Sequence, residues 1–237
     1  MPESRQGFEN QDRDNVSEYL RLFFATALLV PATLLPIINP LAGAPVFLAA
    51  TGGNERLTRI MARRVGVNCF LLMIGALLIG GYVLDFFGLS IPIVRVGGGL
   101  VVAASGWRLL NDSGQDAVQR SVADSTESMS AEEIAHRSFL PISFPLTVGP
   151  GTIAATIALG AKRPEDAINL IPQLAGALVG LTISAIVVYL TYRYSNSLLT
   201  RLGTTGAMVL MRLAAFILLC IGIDILWSGL SELVRTG

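Results

Sequence analysis

Two proline-rich segments carry the residues whose types and spacing could bind a solute. The first, residues 36–51, reads PIINPLAGAPVFLAAT and lies within a run of 33 uncharged residues between Arg21 and Glu55. Proline inside a helix removes backbone hydrogen bonds. In hydrocarbon, each unsatisfied backbone group costs several kcal/mol, so interrupted backbone survives only against protein or a water-filled cavity. The segment therefore predicts a broken membrane helix at a binding site.

The second segment, residues 141–156, reads PISFPLTVGPGTIAAT and repeats the first at a constant spacing of 105 residues. Eight of the sixteen positions are identical, and all three prolines are in register. Paired apolar segments that Gly and Pro interrupt at corresponding positions of two halves indicate the binding site of a transporter. Chance similarity between two apolar, Ala-rich segments is the alternative, and it does not explain the matching proline spacing.

The residues around each break suit the two charges of a small zwitterion. Asn39 followed by Pro40 predicts the start of a half-helix, because Asn is a preferred N-cap and Pro is favoured at the first helical position. Gly149 before Pro150 predicts the same in the second segment. Free N–H groups and the positive dipole end would face a carboxylate. Released carbonyls, with Asn39 and Thr147, would accept an ammonium. The alternative is two kinks that only allow helices to pack.

The composition is that of an integral membrane protein. Hydrophobic residues make up 52% of the chain and charged residues 14%, against about 25% charged residues in soluble domains. A formal net charge of zero disfavours a nucleic-acid partner. Cys69 and Cys220 both fall in apolar spans, and their spacing predicts buried free thiols rather than a zinc site or a disulfide framework. We expect neither a cofactor nor a metal.

Six apolar spans predict an all-α membrane fold of two inverted three-helix repeats, with broken first and fourth helices. An odd number of spans per repeat turns the second copy upside down in the membrane. The predicted divisions are a polar N-terminal segment 1–18, a first repeat 19–111, a polar linker loop 112–138, a second repeat 139–230 and a tail 231–237. The predicted spans are 19–53, 65–86, 91–110, 139–161, 167–192 and 206–230.

The charges near the spans predict an orientation. Ten Lys and Arg residues follow spans one, three and five, against seven on the other side. The positive-inside rule then puts both termini in the periplasm. Five aromatic residues are predicted interfacial anchors, namely Trp107, Trp227, Tyr82, Tyr189 and Tyr192.

Spans three and six contain charges that a bilayer does not accept without compensation. Only 12 uncharged residues separate Arg95 from Arg108, and 11 separate Arg212 from Asp224, too few to cross about 30 Å at 1.5 Å per residue. One charge of each span must therefore reach the interface, pair or face a cavity.

Two residues are candidates for coupling to an ion. Asp224 is the one acid placed well inside a span, where it would relay a proton or bind a cation. Its alternative is a place near the outer interface beside Trp227, balanced by Arg95 or by solvent. Asn68 is the weaker candidate, and its alternative is a hydrogen bond between helices.

The sequences INPLAGAPVF in span one, FPLTVGPGTIAATI in span four and RVGGG in span three resemble the MarC family, over residues 19–230. The resemblance implies a bacterial inner-membrane protein of six helices, related to LysE-type exporters. Some members are reported to move small neutral amino acids such as glycine and alanine. The site carried over by motif comprises Asn39, Pro40, Gly43, Pro45, Pro145, Thr147, Gly149, Pro150 and Gly151. Thr152 adds a nearby hydroxyl.

The first hypothesis is therefore a secondary transporter of small neutral amino acids, coupled to protons or sodium, in which one repeat rocks against the other. The second is a membrane protein that binds lipid or a partner without transport, or a transporter of other small solutes. An intramembrane enzyme is disfavoured because the sequence has no nucleophile–base pair and no Walker A, HExxH or GxSxG motif. Membrane lipids are expected neighbours, and the oligomeric state stays open.

Overall fold

The computed structural model describes residues 3–111, 130–161 and 167–236, and every regular element in these ranges is helical. The first half contains α1 (Glu3–Ile38), α2 (Pro40–Ala50), α3 (Glu55–Phe86) and α4 (Ile91–Asn111). The second half contains α5 (Ala131–Arg137), a π-helical segment (Ser138–Thr147), α6 (Pro150–Ala161), α7 (Ala167–Arg193) and α8 (Ser195–Thr236). The predicted all-α class is confirmed.

Five helices are long and apolar enough to cross a membrane, and a sixth span results if one bent pair is counted together. The five are Ser17–Ile38, Glu55–Phe86, Ile91–Asn111, Asn169–Arg193 and Met211–Arg235, and the pair Glu132–Thr147 and Pro150–Gly160 is bent by 69°. Large apolar side chains such as Leu28, Phe86 and Trp227 are exposed on the outside of the bundle. In a membrane protein this surface faces lipid, so its exposure carries no hydrophobic cost.

The helix bounds differ from the predicted divisions at three places. The first helix begins at Glu3, so it includes most of the predicted separate N-terminal segment. A short helix, α5, occupies the end of the predicted linker, because Ser130 and Glu133 form a capping box there. Residues 112–129 of that linker and the predicted loop 162–166 lie outside the described residues. The last helix starts before the predicted sixth span and is interrupted at Gly203, whose φ is 66°.

One of the two predicted buried thiols is on the surface. Both cysteines are free, and Cys69 is buried in α3 as predicted. Cys220 is exposed on α8. Its predicted burial is wrong because an apolar span gives no sign of which helix face turns towards lipid.

The two halves of the chain pack on each other rather than on themselves. In the described part of the chain, every extensive contact between helices that are not sequence neighbours joins the first half to the second. Thus α1 packs on α7, α3 on α6 and α7, and α4 on α6 and α8. The α3–α7 and α4–α8 contacts pair helices that are equivalent in the repeat, as a two-fold relation would require. The inverted repeat itself stays a prediction.

The helices enclose two apolar cores, and the partly buried Ala155 packs against both. The larger one joins α1, α2, α3, the π segment and α7, with Phe47, Met61, Leu181 and Tyr192 among its fully buried side chains. The smaller core consists of Ile37, Val102 and Leu218, each from a different helix. Helices α4 and α8 therefore form a pair that is attached to the main body through few buried side chains.

Glycines bring the backbones of α4 and α8 into direct contact. A Cβ atom on Gly99 would lie 2.5 Å from the backbone nitrogen of Leu226, and one on Gly222 would overlap the backbone of Ala103. Small residues at such a crossing allow membrane helices to approach closely, where van der Waals packing replaces the missing hydrophobic drive. The α4–α8 pair is therefore closely packed internally.

Replacing Gly99 with alanine should destabilise the protein, because the new methyl meets backbone that moves only if α4 separates from α8. Overpacking costs about 1–3 kcal/mol, more than the roughly 1 kcal/mol that alanine gains over glycine inside a helix. Thermal unfolding in detergent, followed by circular dichroism, should show a lowered midpoint. The matched control is Gly97→Ala, since nothing lies within 4 Å of a Cβ there. Equal midpoints for the two variants would contradict the packing described.

Candidate functional site

The first helix break is confined to one residue. Pro36 remains inside α1, and Asn39 adopts the left-handed conformation with φ 46° and ψ 60°, which Asn tolerates better than most residues. Its side-chain oxygen accepts a hydrogen bond of 3.4 Å from the N–H of Ala42, and Pro40 takes the first helical position of α2. The predicted N-cap is confirmed. The Asn39 amide nitrogen is buried with no hydrogen-bond partner among the described residues.

The second break is longer and has a different shape. Backbone dihedrals leave the helical region at Leu140 and Phe144, and the π segment ends at Thr147, with Val148 as its C-cap. Helix α6 begins at Pro150. The carbonyl of Gly149 accepts the first helical hydrogen bond, from the N–H of Ile153 at 3.1 Å. Gly149 therefore stands at the cap position that the sequence predicts.

The two copies of the repeated segment start their half-helices at different points of the repeat. The repeat pairs Pro40 with Pro145, yet α2 begins at Pro40 and α6 at Pro150. The reason is local. Phe144, the equivalent of Asn39, has no side-chain oxygen that could cap a helix. Gly149, five residues after Phe144, can adopt the backbone conformation that a helix cap requires.

Both half-helix starts line a central cavity of about 520 Å³, which lies between the two broken segments, α4 and α8. Eight of the ten predicted binding residues line it, namely Asn39, Gly43, Pro145, Thr147, Gly149, Pro150, Gly151 and Thr152. Pro40 and Pro45 are not among the lining residues, and Pro40 lines a different cavity together with Pro36 and Leu41. The structure thus brings together residues from two segments about 105 positions apart.

The cavity runs from the middle of α4 to its C-terminal end. Val101, at the centre of α4, lines it together with Ser105 and Arg108, both exposed. Seven residues of helix correspond to roughly 10 Å of depth. On the N-terminal side of Val101, α4 packs directly on α6, and a Cβ on Gly98 would lie 2.5 Å from the Cβ of Ala154. The contact of α4 with α6 therefore closes one end of the cavity.

A buried tyrosine supports the wall of the cavity. The hydroxyl of Thr147 donates to the carbonyl of Ile142 at 2.7 Å, so the Tyr192 hydroxyl, 2.8 Å away, is the donor of the bond between the two side chains. The Tyr192 ring stacks on Phe47 at 4.6 Å and is completely buried. Its predicted role as an interfacial anchor is wrong. The prediction failed because a tyrosine near the end of an apolar span looks like an interfacial anchor in the sequence, while the residues that bury Tyr192 lie on distant segments of the chain.

The two residues predicted for ion coupling do not line the cavity. Asp224 is exposed on α8. Its alternative named Arg95 or solvent as the balance for its charge, and Arg95 pairs with Glu232. Asn68 donates from its amide nitrogen to the hydroxyl of Ser143 at 3.2 Å, which links α3 to the π segment. Asn68 therefore makes a hydrogen bond between helices, which was the alternative to ion coupling for this residue.

Arg108 is the cavity residue that sequence reasoning missed. It is the one charged side chain that lines the cavity within the described ranges. The short uncharged interval between Arg95 and Arg108 required one of these charges to reach the interface, to pair or to face a cavity. In the structure Arg95 pairs and Arg108 faces the cavity. The short interval marked these two arginines in the sequence, but it could not show which of them would pair and which would face the cavity.

Comparisons with known proteins agree with the resemblance seen in the motifs. The profile described as MarC family integral membrane protein matches residues 23–234. The inner membrane proteins MarC of Escherichia coli strain ATCC 8739, Escherichia coli K12 and Shigella flexneri are each 32% identical over 221 residues. Each alignment covers 92% of this chain and 99% of the relative. No solved structure matches.

Replacing Gly43 with alanine should disturb the cavity wall, because the new methyl would overlap the Tyr192 hydroxyl. We expect a lowered unfolding midpoint in detergent. Adding Tyr192→Phe removes the overlapping oxygen, so the double variant should be more stable than the sum of the single effects by about 0.5–3 kcal/mol. Gly75→Ala is the matched control, since its Cβ meets nothing within 4 Å. Additive effects would argue against the close approach of α2 to Tyr192.

Proposed function

We propose that this chain, which belongs to the MarC family of integral membrane proteins, is a secondary transporter of small neutral amino acids such as glycine and alanine. It would work by alternating access, driven by a proton or sodium gradient. Its relatives are named as inner membrane proteins, and we expect the same membrane for this chain, with both termini in the periplasm. The observation that carries the proposal is the central cavity lined by the starts of both half-helices.

A cavity between broken helices supports transport more than it supports packing kinks. Interrupted backbone at membrane depth requires protein or water beside it, and transporters place their substrates at such breaks. If the breaks served helix packing alone, neighbouring side chains would fill the space beside them. The volume of about 520 Å³ lies within the roughly 300–1,000 Å³ of small-molecule sites. It admits an amino acid together with water.

The packing of the two halves on each other favours the α4–α8 pair as the moving unit, whereas the sequence predicts that a whole three-helix repeat moves. Rocking one three-helix repeat against the other would break nearly every helix contact, because the helices of each half pack on the other half. The α4–α8 pair is closely packed internally and is joined to the main body by a small core. We expect this pair to swing as one unit and to open the contact between Gly98 and Ala154 when the cavity closes at its other end.

Cross-linking tests this unit. In a background without the native cysteines, Val102→Cys with Gly151→Cys joins α4 to α6 beside this contact, because the two Cβ atoms would lie 3.5 Å apart, a separation that suits a disulfide. Oxidation should reduce uptake at least tenfold relative to the reduced form of the same variant, because the closed end can no longer open. Val96→Cys with Gly229→Cys joins α4 to α8, where a Cβ on Gly229 would lie 2.9 Å from the Val96 side chain. This control should keep its uptake when oxidised. The reverse pattern would refute the proposed movement.

Uptake into liposomes tests the function. The purified protein should take up labelled glycine and alanine saturably under a proton or sodium gradient. Asn39→Ala removes the helix cap at the cavity, and Gly149→Leu fills part of the cavity with a larger side chain. Each variant should therefore take up at least about tenfold less solute than the unaltered protein. The matched control is Asn54→Ala, which removes the cap of α3 away from the cavity, where Asn54 accepts from Arg56 and Leu57.

Two results would count against the proposal. Absence of uptake by folded protein under every gradient would favour the reading as a lipid- or partner-binding protein. Normal uptake by Asn39→Ala would move the substrate site away from the central cavity.

A further inference from the structure

We propose that the central cavity recognises its solute by the carboxylate alone, that Arg108 is the anchoring residue, and that small monocarboxylates without an amino group bind as well as amino acids do. The inference rests on the proposed function only in taking the cavity as the solute site. It widens the substrate class from small neutral amino acids to short monocarboxylates with or without an amino group.

The charge of the cavity is one-sided. Within the described ranges, Arg108 is its only charged lining residue, and no Asp or Glu lines it. The starts of α2 and α6 add the positive ends of two helix dipoles. An anion therefore finds favourable charge in this cavity. An ammonium group finds no full countercharge, and it is repelled by the guanidinium.

The cavity hydroxyls that could accept a bond from an ammonium group are neutral, although a hydroxyl that already donates a bond can still accept one. Ser105 donates to the carbonyl of Val101 at 2.8 Å. Thr147 donates to Ile142 and accepts from Tyr192. Neutral oxygens of this kind supply partial charges, whereas desolvating an ammonium requires an opposite charge or several strong acceptors. The amino group is therefore tolerated in the cavity rather than selected.

Arg108 is placed to reach a solute. Val101, Ser105 and Arg108 follow a spacing of four and three residues, which puts them on one face of α4, and all three line the cavity. Arg108 lies in the last turn of α4, and its side chain lines the cavity. The carboxylate of Glu232 pairs with Arg95. No described carboxylate competes for Arg108.

Guanidinium and carboxylate match in shape as well as in charge. The planar fork of arginine donates two parallel hydrogen bonds to one carboxylate. Lysine keeps the charge but presents a point donor without this geometry. The difference between the two residues separates carboxylate recognition from a general electrostatic effect at the membrane surface.

The test measures binding directly, by equilibrium dialysis of the full chain in detergent with labelled propionate and labelled alanine. Propionate is alanine without the amino group, and ethylamine is alanine without the carboxylate. We expect the two dissociation constants to agree within about fivefold and lactate to compete for both. Ethylamine should not compete. Comparable binding of ethylamine, or binding of alanine that propionate cannot displace, would overturn the inference.

Variants assign the role to the side chain. Arg108→Gln should weaken both propionate and alanine at least tenfold, and Arg108→Lys should give an intermediate loss. The control Arg201→Gln removes an exposed arginine of α8 that does not line the cavity, so binding should be unchanged. Equal losses in Arg108→Gln and Arg201→Gln, or no loss in Arg108→Gln, would contradict the assignment. Circular dichroism confirms that each variant is folded.

The outcomes separate this inference from the proposed function. Propionate binding that depends on Arg108, with no amino acid uptake under any gradient, would support the carboxylate site and reject amino acid transport. Alanine uptake without propionate binding would support the transporter and overturn the inference. If neither labelled solute binds to folded protein, the carboxylate site is rejected.

Discussion

Backbone hydrogen bonding in the hydrocarbon layer constrains the other features of this protein. Each N–H and C=O at membrane depth needs a partner, and water is absent there. The chain nevertheless interrupts two helices, at Asn39 and around Gly149, and brings both interruptions to one cavity. The surrounding helices supply the protein wall that this arrangement demands. The cavity is thus the place where interrupted backbone is permitted.

Features set by local chemistry were predictable from the sequence. The cap of Asn39 before Pro40 depends on neighbouring residues only, and the structure has it there. The start of α6 at Pro150 likewise follows from the adjacent Gly149. The repeat alone would have placed that start at Pro145. Capping chemistry therefore overrides repeat register where the two conflict.

Features set by the direction of a helix face were not predictable. The burial of Tyr192 depends on Gly43, Phe47 and Thr147, which lie far away in the chain. The pairing of Arg95 with Glu232 and the turn of Arg108 towards the cavity depend on how α4 rotates against α8 and α6. Composition places such residues at a membrane depth, but it carries no information on rotation about the helix axis.

The interlocked packing has a consequence for biogenesis. When the first half leaves the ribosome, its helices enter the bilayer without their final neighbours, because those neighbours belong to the second half. The glycine face of α4 then contacts lipid until α8 is inserted. Folding must therefore finish after synthesis of the last helix. A three-helix half on its own therefore lacks most of the helix contacts of the folded protein.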